Sequence, residues 1–273
     1  MPIDYASKYD SAVQERFKLA SVTENAVNKD FDFTGVNTVN VYSVGTVAMN
    51  DYVSSGTNRY GSPDELGNEK QTMVLAKDRS FSFTIDKRNY TDTMMTMEAG
   101  KALARQIDEV VTPEVDIYRL SKIVAGAGTA ATPLAITKAN AYVSFLDGKT
   151  VLLENKVPLP GTFAYISTNF YKAIRQDDAF IKPSDMAQEM LVKGQVGMIE
   201  GIPLIYVPSI YLPENVEFVL TNKIATTSPT KLAEYKTHID PPGINGWLIE
   251  GRLYYDAFVL DKKAKAIYVH KSI

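Results

Sequence analysis

A chain of 273 residues that is 45% hydrophobic and 22% charged has enough material for a core and is not disordered throughout. Its net charge of −3 argues against a protein that grips nucleic acid along a basic groove, though not against loose proximity to DNA. The absence of Cys rules out a disulfide framework, a thiolate nucleophile and a Cys-based zinc site.

In chain order, residues 1–30 carry mixed charge and one weak helical patch at 11–20. There Val13, Phe17 and Ala20 fall on one face, which predicts a short surface helix in an arm that lies on another body. No apolar run approaches the ~18 residues that span a bilayer, and 1–10 lacks the apolar stretch of a signal peptide. The expectation is a soluble chain made in the cytosol without a cleavable leader.

Residues 36–47 read as a strand, but the alternation changes phase near Val41 and Tyr42. That slip predicts a bulge or a strand buried on both faces. The stretch 49–79 then lacks a core pattern for roughly 25 residues, too long for an idle connector in a compact domain. Such a segment is disordered, a functional lid, or an arm ordered on another molecule. Residues 80–86 alternate cleanly, with Phe81, Phe83 and Ile85 on one side. Two strands flanking an excursion marked by Gly56, Gly61 and Gly67 describe an extended hairpin.

Residues 92–125 follow with an apolar stripe that includes Leu103, Ile107, Val111, Leu120 and Val124. Continuous, this helix would be about 50 Å long. Thr112-Pro113 predicts a kink, or a fresh start with Thr112 as cap and Pro113 in the first turn. Gly126-Ala127-Gly128 reads as a flexible stop. Beyond it the pattern predicts a helix over 137–154, a Pro-rich turn at 157–161, a strand at 162–167 and a short helix at 169–176. Two short strands about Gly201 lie within 194–208, with a further strand at 215–220. The alternating stretches 247–260 and 264–269 suggest a closing sheet turned by Asp261-Lys262-Lys263.

Few residue constellations suggest catalysis. His238 and Asp240 would share a strand face, but the other histidine, His270, is distant in sequence, and a solvated loop is the simpler reading. The glycines at 126–128 resemble a dinucleotide fingerprint, yet they follow a helix where that motif must follow a strand. The carboxylate pairs Asp177-Asp178 and Asp108-Glu109, with Glu114 and Asp116 nearby, are expected to face water. The basic cluster Lys262, Lys263, Lys265 and Lys271 reads as a solvated turn and terminus. No catalytic, cofactor-binding or metal-ligating residue is assigned. The aromatic balance is more informative: 16 Tyr against 11 Phe and one Trp. Tyr5, Tyr9, Tyr52 and Tyr60 fall in segments without a local core, and Tyr is favoured at interfaces.

At 49–61, Asp78-Arg79-Ser80-Phe81 and Ile85-Asp86, the chain resembles the major capsid proteins of tailed bacteriophages, which share the Hong Kong ninety-seven fold. Residues 107–118 are similar to the second half of that family's long spine helix. Val157-Pro158-Leu159-Pro160-Gly161 with Tyr165-Ile166-Ser167 resembles the lead-in to its axial domain, and 197–209 a recurring axial hairpin. Most of 36–270 is covered in order. The chain departs at Gly161-Thr162, where many relatives carry Gly-Arg.

The resemblance implies an α+β Hong Kong ninety-seven-like fold. Residues 1–35 would be the N-terminal arm, and 36–136 the peripheral domain with extended loop 45–72 and spine helix 92–125. Residues 137–220 would form the axial domain, and 221–273 would return to the peripheral sheet. No extra N-terminal scaffolding-type segment is evident, which implies a mature form or a separate scaffolding protein. The implied function is a non-enzymatic major capsid protein that assembles with itself into pentamers and hexamers. These would form an icosahedral shell around double-stranded DNA, bound without sequence preference. Portal, scaffolding or cement proteins would be partners, with no membrane and no cofactor. The product would be a virion assembled in the host bacterial cytoplasm. Tyr52, Arg59, Tyr60 and Arg79 are the expected intersubunit contacts, with Arg59 pairing to a carboxylate on the next subunit. Two rivals remain: an encapsulin-type nanocompartment shell and, more distantly, a soluble enzyme using a carboxylate pair.

Overall fold

The structure, a computed structural model, describes residues 21–31, 33, 37–92, 99–177 and 195–273. The predicted helix at 11–20, Tyr5, Tyr9 and Asp178 lie outside them. After a 3-10 turn (Glu24–Ala26), β1 (Thr38–Val44) and β2 (Asn68–Val74) pair antiparallel, and 45–67 forms the excursion between them. β3 (Lys77–Asp86) runs into α1 (Lys87–Asp92). Next come α2 (Ala99–Gln106), a π-helical turn (Ile107–Val111) and α3 (Thr112–Ala125) in one helical run. β4 (Thr129–Ala130), α4 (Ala141–Glu154), β5 (Thr162–Ile166) and α5 (Thr168–Ile174) follow. The rest comprises β6 (Gln195–Ile199), β7 (Ile202–Tyr206), β8 (Val216–Asn222), β9 (Thr226–Thr227), β10 (Thr230–Ile239), β11 (Gly246–Tyr255) and β12 (Phe258–Val259). A 3-10 segment (Asp261–Ala266) leads to the last strand, β13 (Ile267–Lys271).

The main core lies on a six-stranded mixed sheet of order β4-β13-β8-β5-β7-β6. Its middle strand β8 is buried at every position, as expected of a strand covered on both faces. Phe145 of α4, Phe170 of α5 and Phe218 of β8 form an aromatic cluster, with ring centroids 4.7 Å apart for Phe170 and Phe218. Leu120 and Ile123 of α3 join the same core. A second core lies under a three-stranded antiparallel sheet of order β10-β11-β3. There Phe81, Phe83 and Ile85 meet Leu103 and Ile107 of the helical run, together with Tyr235 and Ile249.

Several expectations change. The partner of the first strand is β2, whose polar sequence hides its strand character, whereas β3 pairs with β11. Register along β1 and β2 is unbroken from Thr38↔Val74 to Val44↔Asn68, so the phase slip marks neither a bulge nor double burial. Tyr42 and Val44 simply stand exposed on the outer face. The stretches near 247–260 and 264–269 do not form one hairpin. β11 joins the three-stranded sheet and β13 the six-stranded one, with a 3-10 segment between them. Residues 221–273 thus contribute strands to three sheets rather than one, since β9 and β12 also pair with each other.

Pro113 lies in the first turn of α3 as expected, but Thr112 is not its cap. Thr112 is itself helical, and its N–H donates to the Ile107 carbonyl five residues back. A proline ring crowds the carbonyl four residues earlier, and one π-turn widens the helix enough to absorb it without a break. Gly126 and Gly128 are demanded by packing rather than flexibility. A Cβ on Gly126 would lie 2.6 Å from the Val259 side chain, and one on Gly128 would lie 2.6 Å from the Ala264 backbone.

Candidate intersubunit surface

The hairpin has a buried base and an exposed outer part. At the base, Met73 and Leu75 pack with Phe33 and Leu260. The Gln71 side-chain amide donates to the Val259 carbonyl (2.8 Å) and accepts from the Asp261 amide (3.2 Å). Beyond Val44 no residue up to Lys70 is buried. Met49 is 99% exposed and Tyr60 84%, with Val47, Val53 and Leu66 also open to solvent. Other large apolar residues, Ile210 and Ile239 among them, are exposed elsewhere, but the run gathered on this one protrusion makes it the candidate interaction surface.

The tip still has local order. Gly56 and Asn58 adopt left-handed backbone conformations. The Val53 amide donates to the Arg59 carbonyl (3.0 Å), the Gly61 amide to the Asn58 carbonyl (2.9 Å), and Arg59 Nε to the Gly56 carbonyl (3.1 Å). The rings of Tyr52 and Tyr60 meet edge to face at 5.2 Å. Of the expected contact residues, Tyr52, Arg59 and Tyr60 are thus brought together. Arg79 stands elsewhere, on β3, and donates to both carboxylate oxygens of Glu114 on α3 (2.6 and 3.3 Å). That hydrogen-bonded pairing raises the guanidinium pKa above its ordinary value. Sequence reasoning missed the outer face of β1, although the phase slip at Val41 and Tyr42 was its signal.

The residues weighed for catalysis are dispersed. His238 faces Glu250, while Asp240, in the left-handed region, accepts from Lys87 and the Gly246 amide. His270 is buried in the other sheet, stacked on Phe218, with Nε2 3.0 Å from the Leu134 carbonyl oxygen. Asp177 accepts from the Tyr142 amide at the start of α4. Glu109 pairs with Arg105. Lys262 pairs with Glu69, and Lys263, Lys265 and Lys271 are exposed. Where many relatives of the resembled family carry arginine, Thr162 is buried and its hydroxyl accepts from the Asn222 amide (2.9 Å).

Asp116 departs from its expected exposure. It is 1% exposed and accepts from the hydroxyls of Ser21 (2.6 Å) and Thr23 (2.5 Å) and from the Val22 amide (3.0 Å). One turn on, Arg119 is equally buried. It donates to Ser228 Oγ (2.8 Å), Thr23 Oγ1 (3.2 Å) and Glu24 Oε2 (3.0 Å). These bonds lash segment 21–24 to the long helix. Burial works to raise the Glu24 pKa, but hydrogen bonds and charges from Lys29 and Arg119 win and hold the carboxyl below its ordinary value.

Solved structures share this architecture. One is from Mycobacterium phage Che8, with a TM-score of 0.72 and 17% identity over 92% of this chain and 90% of that one. The asymmetric unit of the bacteriophage PhiM1 mature capsid matches with a TM-score of 0.70 and 9% identity over 92% and 87%. A virus-like particle from Pyrococcus furiosus matches with a TM-score of 0.59 and 12% identity over 98% and 100%. The fold is the Hong Kong ninety-seven-like fold of phage capsid shells, with mixed helix and sheet. A family model described as phage capsid protein matches residues 67–269, and the chain belongs to that family. A comparison with curated proteins finds no match. The chain is a structural protein of the capsid shell.

Proposed function

We propose that this capsid protein closes into pentamers and hexamers that tile an icosahedral shell around double-stranded DNA. The hairpin 38–74 is laid over a neighbouring subunit. One observation carries the reading: a protrusion whose apolar residues, Met49 and Tyr60 foremost, contact no core of their own. Ordering such a segment costs backbone entropy that its own subunit does not offset. A second copy supplies the missing surface, and the resulting head-to-tail contacts close into rings. Many weak contacts then add up through avidity.

In this reading 1–35 is the arm, 36–136 the peripheral domain and 137–220 the axial domain, with β13 extending the axial sheet. Tyr52, Arg59 and Tyr60 contact the neighbour, Arg59 through a carboxylate. Arg79 acts by bracing β3 against the spine through Glu114 unless assembly recruits it. Portal and scaffolding or cement proteins complete the particle in the host cytoplasm.

Negative-stain electron microscopy of the purified protein tests the reading. Megadalton particles are expected, and a stable monomer would overturn it. Arg59→Ala should impair assembly while leaving the circular dichroism spectrum unchanged, and normal shells from that variant would remove Arg59 from the contacts. A nanocompartment is the second reading, supported by the end-to-end match to the Pyrococcus particle. Terminase and portal genes beside this one favour a phage head, whereas a cargo-enzyme gene favours the compartment.

A further inference from the structure

Segment 21–28 and the hairpin base are anchored at opposite ends of one chain of hydrogen bonds whose middle is buried. At one end, Thr23 and Glu24 accept from Arg119. Arg119 Nε donates to Ser228 Oγ (2.8 Å), and the Ser228 hydroxyl donates to the Asp256 carbonyl (3.0 Å). The Asp256 carboxylate then accepts from the Ala76 amide (2.9 Å), where β2 leaves the hairpin, and from the Tyr118 hydroxyl (2.7 Å) on α3. Thr23, Arg119, Ser228 and Asp256 are all buried.

We propose that Arg119, Ser228 and Asp256 are positioning residues forming a relay that couples docking of segment 21–28 to the seating of the hairpin base at Leu75 and Ala76. Ser228 is the link. Its single hydroxyl accepts from Arg119 and donates to Asp256, so its orientation is shared by both ends. Its backbone N–H also donates to the Asn28 carbonyl (3.1 Å), which ties the link between β9 and β10 to segment 21–28 a second time. Water is excluded from the middle of the path, at Arg119, Ser228 and Asp256, although Ala76 at the hairpin end is exposed; a donor lost beside that middle leaves a buried acceptor unmatched and shifts its neighbours. Coupling of this kind is reciprocal: seating of the hairpin base favours docking of segment 21–28 by the same factor as that docking favours seating of the base. The inference concerns the single chain. Its use in a shell, where a hairpin seated on one neighbour would bias the arm offered to another, rests on the function proposed above.

The test is hydrogen–deuterium exchange on the full chain. Tyr118→Phe removes only the hydroxyl at the hairpin end, and Thr23→Val only the one at the N-terminal end. Tyr118→Phe should speed exchange in 21–28 about fivefold, and Thr23→Val should speed it at 75–76 by a similar factor, with the core strand at 216–222 unchanged. In a Ser228→Ala background both remote effects should vanish while the local ones persist. Effects confined to the mutated end overturn the relay. So does equal acceleration in 216–222, which would signal global unfolding. Because the two single variants decide the matter by themselves, the proposal stays falsifiable if Ser228→Ala does not fold. Particle formation is not read in any arm, so failure of the shell reading and failure of the relay are distinguishable.

Discussion

The six-stranded sheet and the β1–β2 hairpin are both built by strand pairing and end in opposite states. β8 has no exposed position, whereas in the hairpin only Met73 is fully buried and Tyr42, Val44 and Val74 face outward. Both carry the strand pairing expected of their register. The difference is the cover: helices pack on the six-stranded sheet, whereas among the described residues the hairpin has cover only near its base, from Phe33, Phe258 and Leu260. A strand whose apolar face has no cover is stable only as part of something larger, since a two-stranded ribbon is marginal by itself. In the proposed function, one region encodes the subunit and the other its need for neighbours.

Substitutions separate the two roles. Phe218→Ala empties the centre of the aromatic cluster and should cost about 4 kcal/mol in denaturant unfolding; a loss below about 1 kcal/mol would mean that the core is not organised around this ring. Arg119→Met removes a buried cation from Glu24 and leaves the Thr23 and Ser228 hydroxyls without their donor, and should cost about 3 kcal/mol by the same measurement. Gly128→Ala drives a methyl into the Ala264 backbone and should cost about 2 kcal/mol, visible as a lower melting temperature.

The paired change Met49→Ser and Tyr60→Ser should move subunit stability by less than about 0.5 kcal/mol and yet abolish large particles in size-exclusion chromatography. Unaltered particles would erase the contrast drawn between the regions. The smallest effect is one of pH. The Glu24 pKa is depressed on folding, so its contribution is present above the ordinary value of 4.5 and lost as pH falls through the lower folded value. Exchange in 21–28 should therefore rise below about pH 4.5, and Glu24→Gln should flatten that rise.

Much of the fold was legible because local physics dominates there. The alternation at 80–86, the turn at 157–161 and the strands about Gly201 appear where the pattern predicts them, and the helix expected over 137–154 runs over 141–154. β2 was not legible, because its Asn, Glu, Lys and Gln are those of a solvated loop and become a strand only through pairing with β1. Asp116 was misplaced for a related reason. A charged residue on a mixed helix face reads as solvent-facing, and burial required donors from a segment more than ninety residues away in sequence.

By itself the amino-acid sequence determined which stretches own a core and which do not, since periodic apolar residues commit a segment to burial and a long polar excursion cannot fold alone. It also determined the resemblance to capsid proteins, carried by motifs in order along the chain. Only the tertiary structure decided which strands meet, that Pro113 is absorbed in a π-turn, that Arg79 braces the spine through Glu114, and that a buried relay joins both anchor points. Those outcomes depend on contacts between residues far apart in sequence, and no local pattern specifies which distant partner fills a given hydrogen bond.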